Sequence, residues 1–328
     1  MIKAQLNQFG NPADSVSLIS LTEPGEPAAQ QVLVSIDAAP INPAELLLIM
    51  GKYASRPPLP APLGIEGAGT VLAVGPQVTD LSPGDKVMCL PRENWAEKAL
   101  FERTELIRLP ADIDMQQAAM LKVNPATALM MLRDYQTLSA GDWVIQNAAN
   151  SGVGQNLICL AHAQGIKTVC VVRRESLVAE LEAIGASVVL VDGPDLAERV
   201  RERIDGSLKL AIDAVGGEAT FRLASCLDEE GTVVNYGLLS GENCQISADQ
   251  AIFRGISLHG FWLAKQLRSM DGASVQSLYD GLATQVASGV LKVPVEKAYP
   301  LNEIAAALNH ALQTGRDGKI LLLPSRAG

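Results

Sequence analysis

The chain has 328 residues, of which 48% are hydrophobic and 19% charged, a composition typical of a globular α/β protein with room for two domains. A formal net charge of −10 argues against nucleic acid as a partner, because neutralising phosphates requires clustered Lys and Arg. No run approaches the roughly 18 apolar residues of a membrane span. The N-terminal sequence MIKAQLNQFG lacks the pattern of a targeting peptide and predicts a strand, so a cytoplasmic location is expected.

The cysteines and histidines predict neither a disulfide framework nor a metal site. The five cysteines form no C-x-x-C pair, and the three histidines are far apart in sequence. Two of the cysteines lie inside apolar runs, where a small buried side chain is the ordinary interpretation. The cysteines are Cys89, Cys159, Cys170, Cys226 and Cys244.

The first third of the chain is rich in strand and turn patterns. Runs typical of β-strands occur at residues 31–36, 68–74 and 86–90, separated by proline and glycine. The proline-rich run at residues 56–62 is expected to be a surface loop, because proline cannot donate to a strand ladder. This region predicts a compact, barrel-like β domain rather than a parallel sheet.

The middle third alternates apolar strands with segments of helix length. This alternation predicts βαβ units and a doubly wound parallel sheet with helices on both faces. The predicted strands are residues 143–146, 168–172, 187–191, 208–212 and 232–236. The last part of the chain predicts helices at 275–287 and 302–313, a β-type run at 292–299 and a final strand at 319–323.

The strand at 143–146 runs straight into a glycine turn, AANSGVG at residues 148–154, and then into an apolar helix. Glycine lets the backbone approach a pyrophosphate closely, and the N-terminus of the helix offers free N–H groups. The run departs from G-x-G-x-x-G, because Ala149 and Ser151 stand at its first and third positions. A glycine turn can also simply join a strand to a helix, but its place at the start of a βαβ series favours a dinucleotide site.

Two arginines, Arg173 and Arg174, stand at the end of the next strand, about 20 residues beyond the glycines. An NAD enzyme places Asp or Glu there to hold the ribose 2′-hydroxyl. Arginine instead suits a 2′-phosphate, which its planar fork of donors can bind. The pair could also merely solvate a strand end, but together with the glycine turn it favours NADPH.

The order of these features resembles the medium-chain dehydrogenase/reductases over nearly the whole chain. A β-rich N-terminal region and GDKV at 84–87 precede the nucleotide turn, and DAVGG at 213–217 follows it. The resemblance implies an α/β fold with a Rossmann doubly wound parallel sheet in residues 119–264, which would bind NADPH. It also implies a β-rich, GroES-like catalytic domain formed by residues 1–118 and 265–328.

Zinc-dependent members of this family carry a Cys in an early loop and a His in a G-H-E segment. The corresponding stretches here are NPAE at 42–45 and GIEG at 64–67, and no cysteine-rich lobe follows. Alcohol dehydrogenase chemistry needs zinc to polarise an alkoxide. The resemblance therefore implies a zinc-free enzyme with no metal ligands.

Several runs resemble the mitochondrial-type trans-2-enoyl-thioester reductases more than the quinone oxidoreductases. They are GKY at 51–53, VNPATA at 123–128, QNAANSGVGQ at 146–155 and GFWL at 260–263. The implied function is NADPH-dependent reduction of a small-molecule 2-enoyl thioester, carried by CoA or ACP. An NADPH:quinone or enone oxidoreductase is the alternative, and a non-catalytic NADPH-binding protein is a hypothesis of another class.

By this resemblance Tyr53 is the catalytic residue, which hydrogen-bonds the thioester carbonyl or delivers a proton; a loop-anchoring aromatic is the other interpretation. The family's arginine–aspartate–arginine run reads Arg173-Arg174-Glu175 here, so the second phosphate ligand is shifted. Lys122 is an unexpected charge with no assigned role. The implied cofactor contacts are Asn124, Asn150, Ser151, Gly152, Val153, Arg173, Arg174, Tyr236, Gly237, Phe261, Trp262, Leu263 and Lys319.

The β-type run at 257–263 contains Trp262, which could line the pocket or simply pack. In related enzymes this strand lies at the edge of the nucleotide domain and pairs across a two-fold axis, so a homodimer is expected. Lys265 and Arg268 just beyond it could meet an anionic carrier, although such residues more often form a solvated helix face.

Overall fold

The structure is a computed structural model that describes residues 1–325, and the chain forms two compact units. The first unit contains residues 1–123 and the residues from Asp271 onward, and the second contains residues 124–270. These divisions lie a few residues beyond the boundaries expected at 118/119 and 264/265.

The helices and strands follow one another along both units. The strands are β1 Ile2–Leu6, β2 Val16–Ser20, β3 Gln31–Pro40, β4 Ala61–Pro62, β5 Gly67–Val74, β6 Lys86–Cys89, β7 Lys98–Glu102, β8 Leu106–Arg108, β9 Trp143–Gln146, β10 Lys167–Val172, β11 Val188–Val191, β12 Leu208–Asp213, β13 Thr232–Asn235, β14 Ser257–Gly260, β15 Val295–Pro300 and β16 Lys319–Leu323. The α-helices are α1 Pro12–Ser15, α2 Pro43–Ile49, α3 Met115–Ala118, α4 Asn124–Asp134, α5 Gly152–Ala163, α6 Val178–Ala183, α7 Leu196–Arg203, α8 Gly217–Cys226, α9 Ala248–Ile252, α10 Leu263–Ser269, α11 Gly272–Ala287 and α12 Ile304–Leu312. Short 3-10 helices are Arg103–Glu105, Glu175–Leu177 and Leu301–Glu303.

The first unit is built on a seven-stranded sheet with the order β15-β16-β3-β5-β6-β8, in which β7 also pairs with β3. A smaller sheet has the order β2-β1-β4. Strand β3 buries Val32, Val34 and Ile36, while the residues between them are partly exposed, as the two-residue period of a strand requires. The hydrophobic core of the first unit also includes Trp95, and Leu308 from α12.

The expectation of a loop over residues 56–62 is wrong at its end. Ala61 and Pro62 form β4, which pairs antiparallel with Leu6 and Gln5 of β1. The strand lies at the edge of its sheet. Proline has no N–H to donate, and an edge strand tolerates this because it has a neighbouring strand on one side only.

The second unit contains a six-stranded sheet with the order β11-β10-β9-β12-β13-β14, in which all pairs are parallel. Counted from the start of this unit, the order is 3-2-1-4-5-6, which is that of a doubly wound Rossmann sheet. Every residue of β9 is buried, as expected of a central strand covered on both faces. The predicted Rossmann sheet is confirmed.

Candidate active site

The strand order of the second unit reverses between β9 and β12, and ligands of such sheets bind beyond the carboxyl ends of the strands at this point. Asn147 directly follows β9, and Asp213 ends β12. The Asn147 amide Nδ2 donates to Asp213 Oδ1 at 2.6 Å, and the Ala214 backbone N–H donates to Asn147 Oδ1 at 2.8 Å. These bonds fix the two strand ends to each other.

The buried Asp213 carboxylate also binds the turn after β12, helix α8 and the end of β13. Its Oδ1 accepts from the backbone N–H groups of Val215 and Gly216, at 2.9 and 3.2 Å. Its Oδ2 accepts from Thr220 Oγ1 at 2.6 Å and from Asn235 Nδ2 at 2.9 Å. A carboxylate with several donors is held in one geometry, so Asp213 makes the carboxyl ends of β9, β12 and β13 rigid at this point.

The glycine turn has a backbone that few side chains permit. Ala148 has φ of 46°, a left-handed conformation that costs a non-glycine residue about 1–2 kcal/mol. A Cβ atom on Gly154 would lie 2.5 Å from the Ala149 carbonyl oxygen, so glycine is required there. Ser151 caps α5, and its Oγ accepts from the Gly154 N–H at 3.1 Å. The Asn150 carbonyl accepts from a glutamine amide in the same helix.

The N-terminus of α5 fits a dinucleotide. The N–H groups of Gly152 and Val153, the first two of this twelve-residue helix, have no acceptor within the helix and lie at its positive dipole end. A Cβ on Gly152 would lie 2.8 Å from Asn124 Nδ2, so the absence of a side chain at Gly152 lets Asn124 pack against the turn. Asn124 is buried, and its Nδ2 has no hydrogen-bond partner among residues 1–325. Such an unsatisfied buried donor indicates a bound group.

Tyr236 and Gly237 follow β13 and lie beside this turn. The Tyr236 hydroxyl is hydrogen-bonded to the Ser151 side chain, and burial raises the pKa of Tyr236 to about 12, so the phenol stays protonated. A Cβ on Gly237 would lie 2.7 Å from the Ala214 carbonyl oxygen, which keeps this loop against the end of β12. Seven of the predicted contacts thus lie at or beside this turn: Asn124, Asn150, Ser151, Gly152, Val153, Tyr236 and Gly237.

Arg173 and Arg174 lie immediately beyond the carboxyl end of β10, and both are exposed. In the part of the chain that the structure describes, neither guanidinium pairs with a carboxylate. Two adjacent arginines without counter-charges at this edge of the sheet form a site that suits an anionic group.

The strand expected at residues 257–263 ends before Phe261. Strand β14 stops at Gly260, and Leu263 is already the first residue of α10. Phe261 is buried, and its N–H donates to the Asn235 carbonyl at 2.8 Å. The guanidinium carbon of Arg268 lies 5.0 Å from the Trp262 ring centroid, within cation–π range.

In the first unit Lys319 belongs to a buried polar chain. Lys319 Nζ donates to Asn42 Oδ1 at 2.5 Å, and Asn42 Nδ2 donates to Glu66 Oε1 at 2.6 Å. Burial lowers the pKa of Lys319 to about 8, and burial also raises the pKa of Glu66. Lys319 opposes the effect of burial on Glu66, and Glu66 opposes the effect of burial on Lys319.

The same region does not fit a zinc ion. Within residues 1–325 no group of three or more His, Cys, Asp or Glu side chains could hold a metal. Ile65 stands where zinc-dependent members have their histidine, and the neighbouring ammonium of Lys319 would repel a cation. The Glu45 carboxylate accepts from the Gly64 and Ile65 N–H groups at 3.1 and 2.9 Å.

Tyr53 lies in the first unit, shortly after α2. Gly51 before it has φ of 69°, which allows the chain to turn sharply out of the helix. The Tyr53 ring is half-buried and packs against the core of this unit. The packing holds the ring of the predicted catalytic residue while part of the side chain stays accessible.

Sequence reasoning missed the polar residues beneath the turn, Asn147 and Asn235. Both hydrogen-bond to Asp213. Each stands at or directly after the end of a buried strand, and this position is the signal that could have identified them.

Known proteins resemble the chain over both units. The family model described as zinc-binding dehydrogenase matches residues 152–276, and that of the alcohol dehydrogenase GroES-like domain matches residues 28–109. A mitochondrial enoyl-[acyl-carrier-protein] reductase of Dictyostelium discoideum is 34% identical over 327 residues, which cover 97% of this chain and 93% of that protein. The chain belongs to the medium-chain dehydrogenase/reductases, in the group of the enoyl thioester reductases. The implied combination of a Rossmann and a GroES-like domain is confirmed.

Two solved structures of this family have nearly the same fold. The Etr1p/NADP/crotonyl-CoA complex has a TM-score of 0.90 and 26% identity, covering 98% of this chain and 99% of that one. A putative NADPH:quinone reductase of Bacillus thuringiensis has a TM-score of 0.90 and 28% identity, covering 98% of each chain.

The expected cytoplasmic location is contradicted by the curated relatives, which are described as mitochondrial. The expectation relied on the N-terminal residues, and Ile2–Leu6 form a strand of the first unit. A strand in a folded domain carries no information about the compartment. In the described residues, no helix combines the length and the apolar character needed to cross a membrane.

Proposed function

We propose that this chain is an NADPH-dependent reductase that reduces the carbon–carbon double bond of 2-enoyl thioesters. The observation that carries the proposal is 34% identity to an enoyl-[acyl-carrier-protein] reductase over 97% of the chain. The glycine turn and the unsatisfied Asn124 amide of this chain support the cofactor part of the proposal.

NADPH, when bound, supplies a hydride to the β-carbon of the substrate. The Gly152 and Val153 amides would bind the pyrophosphate, with Asn150 and Ser151 forming the rest of the turn. Asn124 would donate to the nicotinamide end, and Arg173 with Arg174 would hold the 2′-phosphate. Further contacts would come from Tyr236, Gly237, Phe261, Trp262, Leu263 and Lys319.

Tyr53 is proposed to assist the chemical step. Negative charge builds on the thioester carbonyl oxygen as the β-carbon becomes saturated, so a hydrogen bond from the Tyr53 phenol to that oxygen stabilises the transition state. The α-carbon must then take up a proton, which Tyr53 could help to deliver.

Zinc independence is part of the proposal. Ile65 offers no ligand, and Asn42 already binds the Lys319 ammonium. Charge on the carbonyl oxygen would therefore be stabilised by hydrogen bonds instead of a Lewis acid.

The second candidate function is NADPH:quinone or enone reduction. It is favoured by the likeness to the putative quinone reductase, whose TM-score of 0.90 equals that of the enoyl thioester reductase complex. The two functions share the fold and the cofactor and differ in the substrate.

A substrate panel tests the proposal. NADPH oxidation by the purified protein is measured with crotonyl-CoA, a medium-chain 2-enoyl-CoA and 1,4-benzoquinone, each with and without a zinc chelator. We expect kcat/KM for an enoyl thioester to exceed that for the quinone and to be unchanged by the chelator. Turnover of the quinone alone would favour the second candidate, and inhibition by the chelator would contradict zinc independence.

We further propose that the protein is a homodimer that pairs along β14. This strand lies at the edge of the six-stranded sheet, all four of its residues are exposed, and Leu258 is 37% exposed. An exposed sheet edge presents unpaired backbone groups to a second copy.

Sedimentation analysis tests this assembly. The wild-type protein should sediment at twice the chain mass of 34.7 kDa. Leu258→Asp places a charge on the edge strand and should shift the protein towards a monomer, whereas Leu72→Asp, at a similarly exposed position on β5, should not. An identical mass for all three proteins would argue against pairing along β14.

A further inference from the structure

Lys122 is a charged residue that the proposed mechanism does not use. Its Nζ donates to two backbone carbonyls, those of Ile65 and Leu90, each at 2.6 Å. Ile65 lies in the GIEG run, and Leu90 directly follows β6. The ammonium thus joins two loops of the first unit that are separate in sequence.

The backbone around Lys122 is fixed as well. The carbonyl of Lys122 accepts from the hydroxyl of Tyr279 at 3.0 Å, and Tyr279 is fully buried. The N–H of Val123 donates to Glu66 Oε2 at 2.7 Å. Residues 122 and 123 are therefore held by strong hydrogen bonds, and the next residue is Asn124.

The charges that face Lys122 come from several elements. They are the carboxylates of Glu66 and Glu45, the guanidinium of Arg92 and the thiol of Cys89. Burial lowers the pKa of Lys122 to about 8, against an opposing effect of Glu66. The side chain is consequently an ammonium at neutral pH and loses its charge as the pH rises through about 8.

Lys122 is one of several cations near two buried carboxylates, with Lys319 acting more strongly on Glu66 and Arg92 more strongly on Glu45. Burial raises the pKa of both Glu45 and Glu66, and the nearby cations oppose that effect. Glu66 is also the acceptor for the Val123 N–H. A neutral Lys122 weakens its own bonds to Ile65 and Leu90, because hydrogen bonds from charged donors are stronger than those from neutral ones.

We propose that Lys122 is a positioning residue for cofactor binding, whose ammonium fixes the chain on the N-terminal side of Asn124. This inference rests on the proposed function, since Asn124 is there assigned to the nicotinamide end. The charged form of Lys122 is the competent one, and NADPH binds more weakly when it is absent.

The test measures the dissociation constant of NADPH by fluorescence, from about pH 7 to 9.5, for the wild type and three variants. In the wild type the constant should increase as the pH rises through about 8. Lys122→Arg retains a charge throughout this range, so its affinity should change less with pH than that of the wild type, and the remaining change would come from Lys319, whose pKa is also about 8. Lys122→Met should bind at least about tenfold more weakly at pH 7 and show only the smaller pH dependence that remains in Lys122→Arg.

Lys86→Met is the matched control. Lys86 is also partly buried and donates to a single backbone carbonyl, that of Ile113, at 3.0 Å. It lies at the start of β6, and its acceptor Ile113 differs from the acceptors of Lys122, which are Ile65 and Leu90. This variant should retain the wild-type affinity and its pH dependence, and thermal unfolding of each variant verifies that it is folded.

Three outcomes would overturn the inference. If the NADPH dissociation constant of Lys122→Arg increased with pH as much as that of the wild type, the pH dependence would belong to another group, such as Lys319. An unchanged affinity in Lys122→Met would show that Lys122 does not position the cofactor site. Equal losses in Lys122→Met and Lys86→Met would indicate a general effect of deleting a buried lysine. Failure of the proposed function is distinct: the wild type would then bind NADPH with this pH dependence and reduce no enoyl thioester.

Discussion

Replacing Tyr53 by phenylalanine should lower kcat for a 2-enoyl thioester by roughly 10²–10³-fold, the usual effect of removing one donor from a developing oxyanion. The hydroxyl is proposed to act on charge that appears only as the reaction proceeds. Its removal should therefore reduce kcat and kcat/KM together and leave KM for the thioester nearly unchanged.

The structure makes this substitution a clean test. The Tyr53 ring is half-buried against the core of the first unit, and phenylalanine retains that packing. We expect the dissociation constant of NADPH to stay close to that of the wild type. Steady-state kinetics with crotonyl-CoA, together with NADPH fluorescence titration, measures both parts of the prediction.

Tyr135→Phe is the control, because Tyr135 is another half-buried tyrosine and its ring contacts His259, 5.8 Å away, in the second unit. It should retain full activity. An increase in KM without a decrease in kcat for Tyr53→Phe would mean that the residue only shapes the binding surface. Retention of full activity would leave it with the loop-anchoring role.

The sequence predicted best the elements that local pattern determines. The strand at Trp143–Gln146 has the predicted bounds because a short apolar run between two turns fits little else. The short strand Ala61–Pro62 was missed because only its partner β1 makes it a strand. Prolines indicate a loop, and the tertiary pairing overrides that local preference.

The sequence predicted the glycine turn of the candidate site but not the residues that hold the site in place by hydrogen bonds. Asn147 binds Asp213 across 66 positions of sequence, a pairing that no local pattern contains. The left-handed backbone of Ala148 was also hidden, because alanine is not the residue that usually marks it. The acceptors of Lys122 are backbone carbonyls 57 and 32 positions away, so its partners could not be read from side-chain types.

Replacing both Arg173 and Arg174 by alanine should reduce the preference for NADPH over NADH, measured as the ratio of kcat/KM values, by roughly 100-fold. A charge-assisted hydrogen bond contributes about 1.5–3 kcal/mol, and we take the lower figure for each exposed arginine, which is about tenfold. Activity with NADH should not fall, because that cofactor has no 2′-phosphate. Steady-state kinetics with both cofactors measures the ratio.

Arg203→Ala is the matched control, since Arg203 is an exposed arginine of the same unit at the end of α7. It should leave the ratio unchanged. The single variants of Arg173 and Arg174 then show which one binds the phosphate, a question raised by the departure from the family's arginine–aspartate–arginine run. Equal contributions would mean that both guanidinium groups reach it.

Ionic strength separates a phosphate site from a general loss of positive charge. Attraction between exposed arginines and a phosphate is screened over about 10 Å at 0.1 M salt, so KM for NADPH should rise with salt in the wild type. The double variant should lose most of that dependence, while KM for NADH, which keeps only the pyrophosphate charges, should depend less on salt and equally in both proteins. If the double variant kept the wild-type salt dependence, the 2′-phosphate would have to lie against other cations, and the sequence argument for NADPH from Arg173 and Arg174 would fail.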